Sequence, residues 1–122
     1  MPRPVFLNLT QIQFPVGAVT SIGHRVSGVL LALAVPAGLF LLDLSLQDEA
    51  GFRTATALFE PLLGKLIVAV LLWALLHHLL AGVRHLLTDF NVGSRLGAGR
   101  RSAWMVNLAA PALALLAAMV VL

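Results

Sequence analysis

The sequence predicts an all-α membrane protein with three transmembrane helices. Two observations carry that prediction, and a third excludes the main competitor. The chain has 122 residues, 60% of them hydrophobic and 11% charged, with a mean hydropathy of +0.98. A soluble domain of this length has too little interior to hide so much apolar surface. Three separate stretches are long and apolar enough to cross a hydrocarbon core of about 30 Å. The net charge of +3 and the pI near 11.2 invite a nucleic-acid reading. The eight Lys and Arg, however, are dispersed and flank the apolar runs, which is a topology signal and not a phosphate footprint. No nucleic-acid partner is expected; the lipid bilayer is.

The elements follow in order. Met1–Gly17 contains Pro2, Pro4 and Pro15 and no long apolar run. It lacks the basic start, apolar centre and small-residue cleavage site of a signal peptide. It is expected to be an ordered cytoplasmic tail (1–17), lying on the membrane surface or on a partner through Val5, Leu7, Leu9 and Phe14.

Helix one is expected over 18–44. Val26 to Leu42 carries no charge, and Pro36 inside it is expected to bend it. Its opening, S-I-G-H-R-V-S-G, is far more polar than its middle. Ser21, Arg25, Gly28 and Ala32 share one stripe, with His24 on the flank and Ser27 further round.

The first loop, 43–65 with its edges, holds Asp43, Asp48, Glu49 and Glu60 against Arg53 and Lys65. Gly51 and Pro61 punctuate it, leaving room for a short surface helix between. Helix two is expected over 62–87. The second loop, 88–101, has Asn91, Gly93, Gly97 and Gly99 as breakers and brings Arg95, Arg100 and Arg101. Helix three is expected over 103–122, a charge-free run interrupted only by Asn107 and Pro111. The whole chain reads as one membrane-anchor domain. Basic residues concentrate at the N-terminal edge and in the second loop, so the positive-inside rule puts the N-terminus in the cytoplasm.

The chemistry centres on A-L-L-H-H-L-L-A-G-V-R-H-L-L-T-D, Ala74 to Asp89. Ala74, His78 and Gly82 recur at i, i+4 and i+8 and stack on one face; His85 joins that face seven residues after His78. Small residues one turn either side of His78 leave a flat, open surface. A planar macrocycle fits there with its iron on the imidazole nitrogen. With no cysteine in the chain, disulfides, thiolate-held iron–sulfur clusters and c-type haem attachment are excluded within it. Histidine is the strong nitrogen ligand available. An ionisable side chain inside a span costs about 2.5–3.5 kcal/mol near the bilayer centre and wants a partner. That partner is either a metal or a backbone carbonyl or serine on a neighbouring helix; spacing leaves both open. His77 points about 100° away from His78, so the two do not serve one iron. Trp73 and Ala81 beside His77 suggest packing.

His78 and His85 are separated by roughly 10 Å along the helix axis. That is too little for two stacked haems, and it suits one iron ligand plus one group at a porphyrin edge. His24, Arg25, His85 and Arg84 lie at the depth to meet anionic propionates. The alternative for the two arginines is snorkelling to headgroups. Asp89 is expected to pair with His85 or Arg84, which offsets its unfavourable place at a helix C-terminus. Ser21 and Arg25 together offer a hydroxyl and a guanidinium to a quinone carbonyl at the membrane edge. Helix N-capping by Ser21 or Thr20 is the competing role.

R-P-V-F-L-N-L at Arg3–Leu9, S-I-G-H-R-V-S-G at Ser21–Gly28 and H-L-L-A-G-V-R-H-L-L-T-D at His78–Asp89 resemble the cytochrome b membrane-anchor family of bacterial succinate dehydrogenase, the larger of its two anchors. The resemblance spans all three helices. It implies a succinate:ubiquinone oxidoreductase, respiratory complex II, in the bacterial cytoplasmic (inner) membrane. In such a complex a flavoprotein subunit oxidises succinate and an iron–sulfur subunit relays electrons. Two three-span anchors form a heteromeric helix bundle that binds haem b and ubiquinone. The chain is then a subunit of an enzyme without itself handling succinate. Residue by residue, the resemblance makes His78 the axial haem ligand, with a second histidine from the second membrane-anchor subunit. It makes Ser21 and Arg25 quinone-site residues, and places His24 and Arg25 near the propionates with His85 a further neighbour. His77 departs from the pattern. A fumarate reductase anchor and a haem-free structural subunit remain the alternatives.

Overall fold

The computed structural model describes residues 13–122. They form four helices: α1 (Val16–Gln47), α2 (Glu49–Ala57), α3 (Leu62–Asp89) and α4 (Leu96–Val121). Most of the expected tail lies outside the described residues. Its last two positions, Val16 and Gly17, already belong to α1.

Prolines set two of the helix starts. Pro15 and Pro61 sit in extended backbone at the N-caps of α1 and α3 (φ −63°, ψ 152° and φ −70°, ψ 157°), and neither contributes a side-chain cap. Asp48 separates α1 from α2: its backbone is extended and its Oδ1 accepts the Gly51 N–H at 2.7 Å. The short surface helix allowed for in the first loop is α2. At the end of α3, Asn91 takes a left-handed conformation (φ 60°). The Val92 N–H reaches back to the Leu87 carbonyl at 2.8 Å, and the Asn91 N–H to Thr88 at 3.0 Å. This double closure satisfies carbonyls that a helix end otherwise leaves bare. Pro36 and Pro111 lie inside α1 and α4.

α1, α3 and α4 are long and apolar enough to cross a membrane, at 32, 28 and 26 residues. At 1.5 Å per residue each exceeds a 30 Å core by about a turn or more at its ends. α4 starts at Leu96 and not near 103. Its first turns carry Arg100 and Arg101, both exposed. Gly97 and Gly99 lie within the helix despite their low propensity, which is a weak preference beside tertiary contacts.

α1 and α4 start at the same end of the bundle and α3 runs the opposite way. The Thr20 hydroxyl lies 2.9 Å from the Asn107 amide oxygen, while Arg84, late in α3, reaches Gly99, early in α4. The interior is made of small side chains. Ala74, Ala81, Ala103 and Ala110 are fully buried, and the largest fully buried side chains are Thr20 and Ser27. The big residues point outward, Leu33, Phe40, Leu108 and Met119 among them. A soluble fold is arranged the other way round. In lipid there is no apolar driving force between helices, so close backbone approach and interhelical hydrogen bonds hold the bundle.

Candidate functional site

α1 and α3 are antiparallel neighbours, and their polar segments meet at one depth. α1 supplies His24, Ser27 and Gly28; α3 supplies His78, Gly82 and His85. The contact is close because glycines face the rings. A Cβ at Gly28 would stand 3.1 Å from His78 Cε1, and one at Gly82 would stand 3.5 Å from His24 Nε2.

His78 is half-buried, and its Nδ1 lies 3.1 Å from the His24 carbonyl oxygen. A carbonyl only accepts, so Nδ1 carries the hydrogen and donates it. The Ser27 hydroxyl, itself donating to the His24 carbonyl at 2.9 Å, stands 3.3 Å from the same nitrogen. In a neutral imidazole that tautomer puts the free lone pair on Nε2. Nε2 meets no hydrogen-bond partner among the described residues. This is the arrangement of a metal-ligating histidine: one nitrogen oriented by a carbonyl, the other open. The donor set thus fits an iron porphyrin. His24 lies flat against His78, with ring centroids 4.1 Å apart and planes at 8°. His85 meets the edge of His24 at 5.3 Å and 65°.

His77 has a different environment. It is 4% exposed, and its Nε2 lies 3.2 Å from the Thr20 carbonyl, which fixes that nitrogen as a donor. Trp73 packs on it at 5.3 Å, and a Cβ at Gly23 would collide with its ring. With Nε2 spent on a carbonyl and the ring enclosed, His77 joins α1 to α3. Thr20 extends the link to α4 through Asn107.

Ser21 and Arg25 sit one turn apart on α1, Ser21 half-buried and Arg25 exposed. Because α1 begins at Val16, both Thr20 and Ser21 are interior helical positions, and N-capping is not the role of either. Arg84 turns away from the histidines. Its Nε donates to Ser102 Oγ at 3.0 Å and one terminal nitrogen to the Gly99 carbonyl at 3.1 Å, so it pins α3 to the start of α4. The expected pairing of Asp89 with His85 or Arg84 does not form. The one ion pair among the described residues is Arg53–Glu49, and Arg84 finds neutral partners instead.

Periodicity does not single out Thr20, Ser27, Asn107 or Ser102 as functional positions. Ser27 lies off the Ser21–Arg25–Gly28 stripe, yet its hydroxyl stands 3.3 Å from His78 Nδ1. Asn107 carries the clearer signal, as the one strongly polar side chain in a charge-free span.

Residues 1–118 match a family model described as succinate dehydrogenase/fumarate reductase transmembrane subunit. The succinate dehydrogenase cytochrome b556 subunit of Coxiella burnetii (strain RSA 493 / Nine Mile phase I) is 40% identical over 105 residues, covering 85% of this chain and 84% of that protein. The subunit of the same name from Paracoccus denitrificans is 31% identical over 100 residues, covering 82% and 77% respectively.

Proposed function

This chain belongs to the succinate dehydrogenase/fumarate reductase transmembrane subunit family, as a cytochrome b membrane anchor, and from that premise we propose how its residues serve the complex. His78 would hold the iron of haem b through Nε2, with a second histidine supplied by the other membrane anchor. The observation that carries this reading is the Nδ1–H of His78 donating to the His24 carbonyl. It selects the ligating tautomer before any metal binds.

Haem b, when bound, supplies a one-electron carrier between the iron–sulfur subunit and the quinone pool. The rest is the work of the chain. His24 and His85 lie beside His78 and offer ring nitrogens to the propionates, and Arg25, next to His24 in sequence, offers a cation. Arg84 is at the depth to join them, but its bonds to Ser102 and Gly99 favour a structural role. Ser21 and Arg25 hold ubiquinone at the same membrane edge. The hydroxyl donates to a quinone oxygen, and the guanidinium stabilises the negative charge that reduction builds there. Gly28 and Gly82 let α1 and α3 approach closely enough for the His24 carbonyl to reach His78.

In the assembled enzyme the flavoprotein oxidises succinate and the iron–sulfur subunit passes electrons to this anchor, in the bacterial inner membrane with the N-terminus cytoplasmic. The family description also covers fumarate reduction. The same residues serve either direction, since direction follows the potentials of quinone and dicarboxylate.

The test is the haem spectrum of purified, assembled complexes. His78→Leu removes the ligand and yields haem loss or a high-spin spectrum. His77→Phe keeps the low-spin spectrum and costs about 0.5–1.5 kcal/mol of stability, the net worth of its bond to the Thr20 carbonyl. If His78→Leu keeps the original spectrum and His77→Phe loses it, the ligand is the neighbouring residue. If both keep it, α3 does not supply the ligand. If the wild-type complex has no haem spectrum, the chain is a structural anchor.

A further inference from the structure

The cleft between α3 and α4 is not used by the function proposed above, and its chemistry is specific. A cavity of about 300 Å³ runs along it, walled by Leu80, Val83, Leu87, Met105 and Ala109. Its polar side chains, Arg84, Thr88 and Ser102, come from the end where α3 finishes and α4 starts. A second cavity of about 230 Å³ lies at that end, lined by Gly17, Ser94, Arg95 and Arg100. Arg84 lines both.

We infer that this composite cleft binds an anionic phospholipid, with an acyl chain between α3 and α4 and the phosphate against Arg95 and Arg100. Three observations lead there. The long wall is apolar and lies within two membrane-spanning helices, so a hydrocarbon chain is the filler that leaves no polar group wanting. The open end is cationic, and among the described residues neither Arg95 nor Arg100 pairs with a carboxylate. The change from apolar to cationic falls at the helix ends, the depth at which lipid headgroups lie. A free phosphate would meet the arginines and leave the apolar wall bare; a protein helix would fill the wall and leave the arginines unmatched.

The second anchor need not cover this cleft, a point that rests on the proposed haem site. Leu87 comes nine residues after His78, two and a half helical turns, and so lies on the opposite side of α3. A second anchor that reaches the iron must cover the His78 side.

The experiment is native mass spectrometry of the purified complex, delipidated in detergent and offered dioleoyl phosphatidylglycerol, dioleoyl phosphatidylcholine or inorganic phosphate. Wild type should retain one phosphatidylglycerol more per copy of this chain than Arg95→Gln/Arg100→Gln. It should prefer that lipid to phosphatidylcholine by roughly tenfold or more, as two cations near a headgroup surface dictate. Ala109→Trp fills the cleft and should lose the lipid whatever its headgroup. If that variant does not assemble, the arginine pair decides alone.

Equal retention by wild type and the arginine variant overturns the inference. So does equal retention of the two lipids, or inorganic phosphate binding in place of phosphatidylglycerol. A subunit released by Ala109→Trp with lipid retention unchanged means that protein covers the cleft, and overturns it too. The haem spectrum is read on the same samples. A wild-type complex without haem defeats the ligand assignment while the lipid count still stands or falls by itself.

Discussion

His24 holds His78 in two ways at once. Its imidazole lies parallel to that of His78, 4.1 Å between centroids and 8° between planes, and its backbone carbonyl takes the His78 Nδ1 hydrogen at 3.1 Å. The carbonyl fixes the tautomer and the stacked ring fixes the rotation. Removing the His24 side chain leaves the carbonyl in place, so the two effects are separable by mutation.

His24→Ala should therefore keep a low-spin haem while altering the electron paramagnetic resonance g values, which report the orientation of the axial ring. His24→Phe restores a stacked face without ring nitrogens and should return the g values toward wild type. The stacking is worth about 0.5–1.5 kcal/mol, enough to bias a rotamer and too little to hold the haem. Identical g values in all three proteins would mean that the stack does not set the ring.

Ubiquinone reduction should depend on Ser21 and Arg25. Arg25→Leu should lower succinate:ubiquinone turnover on the order of 10²-fold, the effect of removing a donor aimed at developing negative charge. Ser21→Ala should have a smaller effect. Succinate oxidation with a soluble dye acceptor should persist in both, since the proposed function leaves succinate to the flavoprotein. Normal ubiquinone turnover in both assembled variants removes them from the quinone site.

Gly23 is a packing residue with a measurable role. Its missing Cβ leaves room for the His77 ring, which the Thr20 carbonyl and Trp73 hold in place. Gly23→Ala should destabilise the bundle by about 1–3 kcal/mol, the usual cost of overpacking. Gly38→Ala, at a position open to its surroundings in the same helix, should be neutral or stabilising. Thermal denaturation of the two complexes decides; equal midpoints would mean that the His77 ring gives way to the added Cβ at no cost.

Orientation is tested by labelling single cysteines from outside the cell. Thr54 in α2 and Gly97 in α4 are both exposed, at opposite ends of the bundle. With the basic end cytoplasmic, Thr54→Cys should label and Gly97→Cys should not. The reverse pattern would put Arg25 and the histidines near the other membrane face.

How much of this was legible in the residues differs from feature to feature. Three apolar runs announce three spans, because a hydrocarbon core of fixed thickness admits little else. That His78, Gly82 and His85 share one face and His77 does not is a property of the 3.6-residue helix, and needs no partner to be true. The small residues at 74 and 82 beside His78 were readable for the same reason, as was Asn91 as a place where α3 stops.

Tertiary structure decided what each face meets. The partners of His77 and His78 are the backbone carbonyls of Thr20 and His24. Every residue has a carbonyl, so a carbonyl partner leaves no trace in composition or spacing. Ser27 reached His78, and Arg84 went to Ser102 and Gly99 in place of Asp89, through the rotation and register of α1 and α4 against α3. Close packing of Ala74, Ala81, Ala103 and Ala110 sets that register, and it exists only when the three helices are together. The sequence by itself determined which groups each helix offers at which depth; only the packed bundle decided which of them touch, because contact between helices depends on a geometry that no single helix contains.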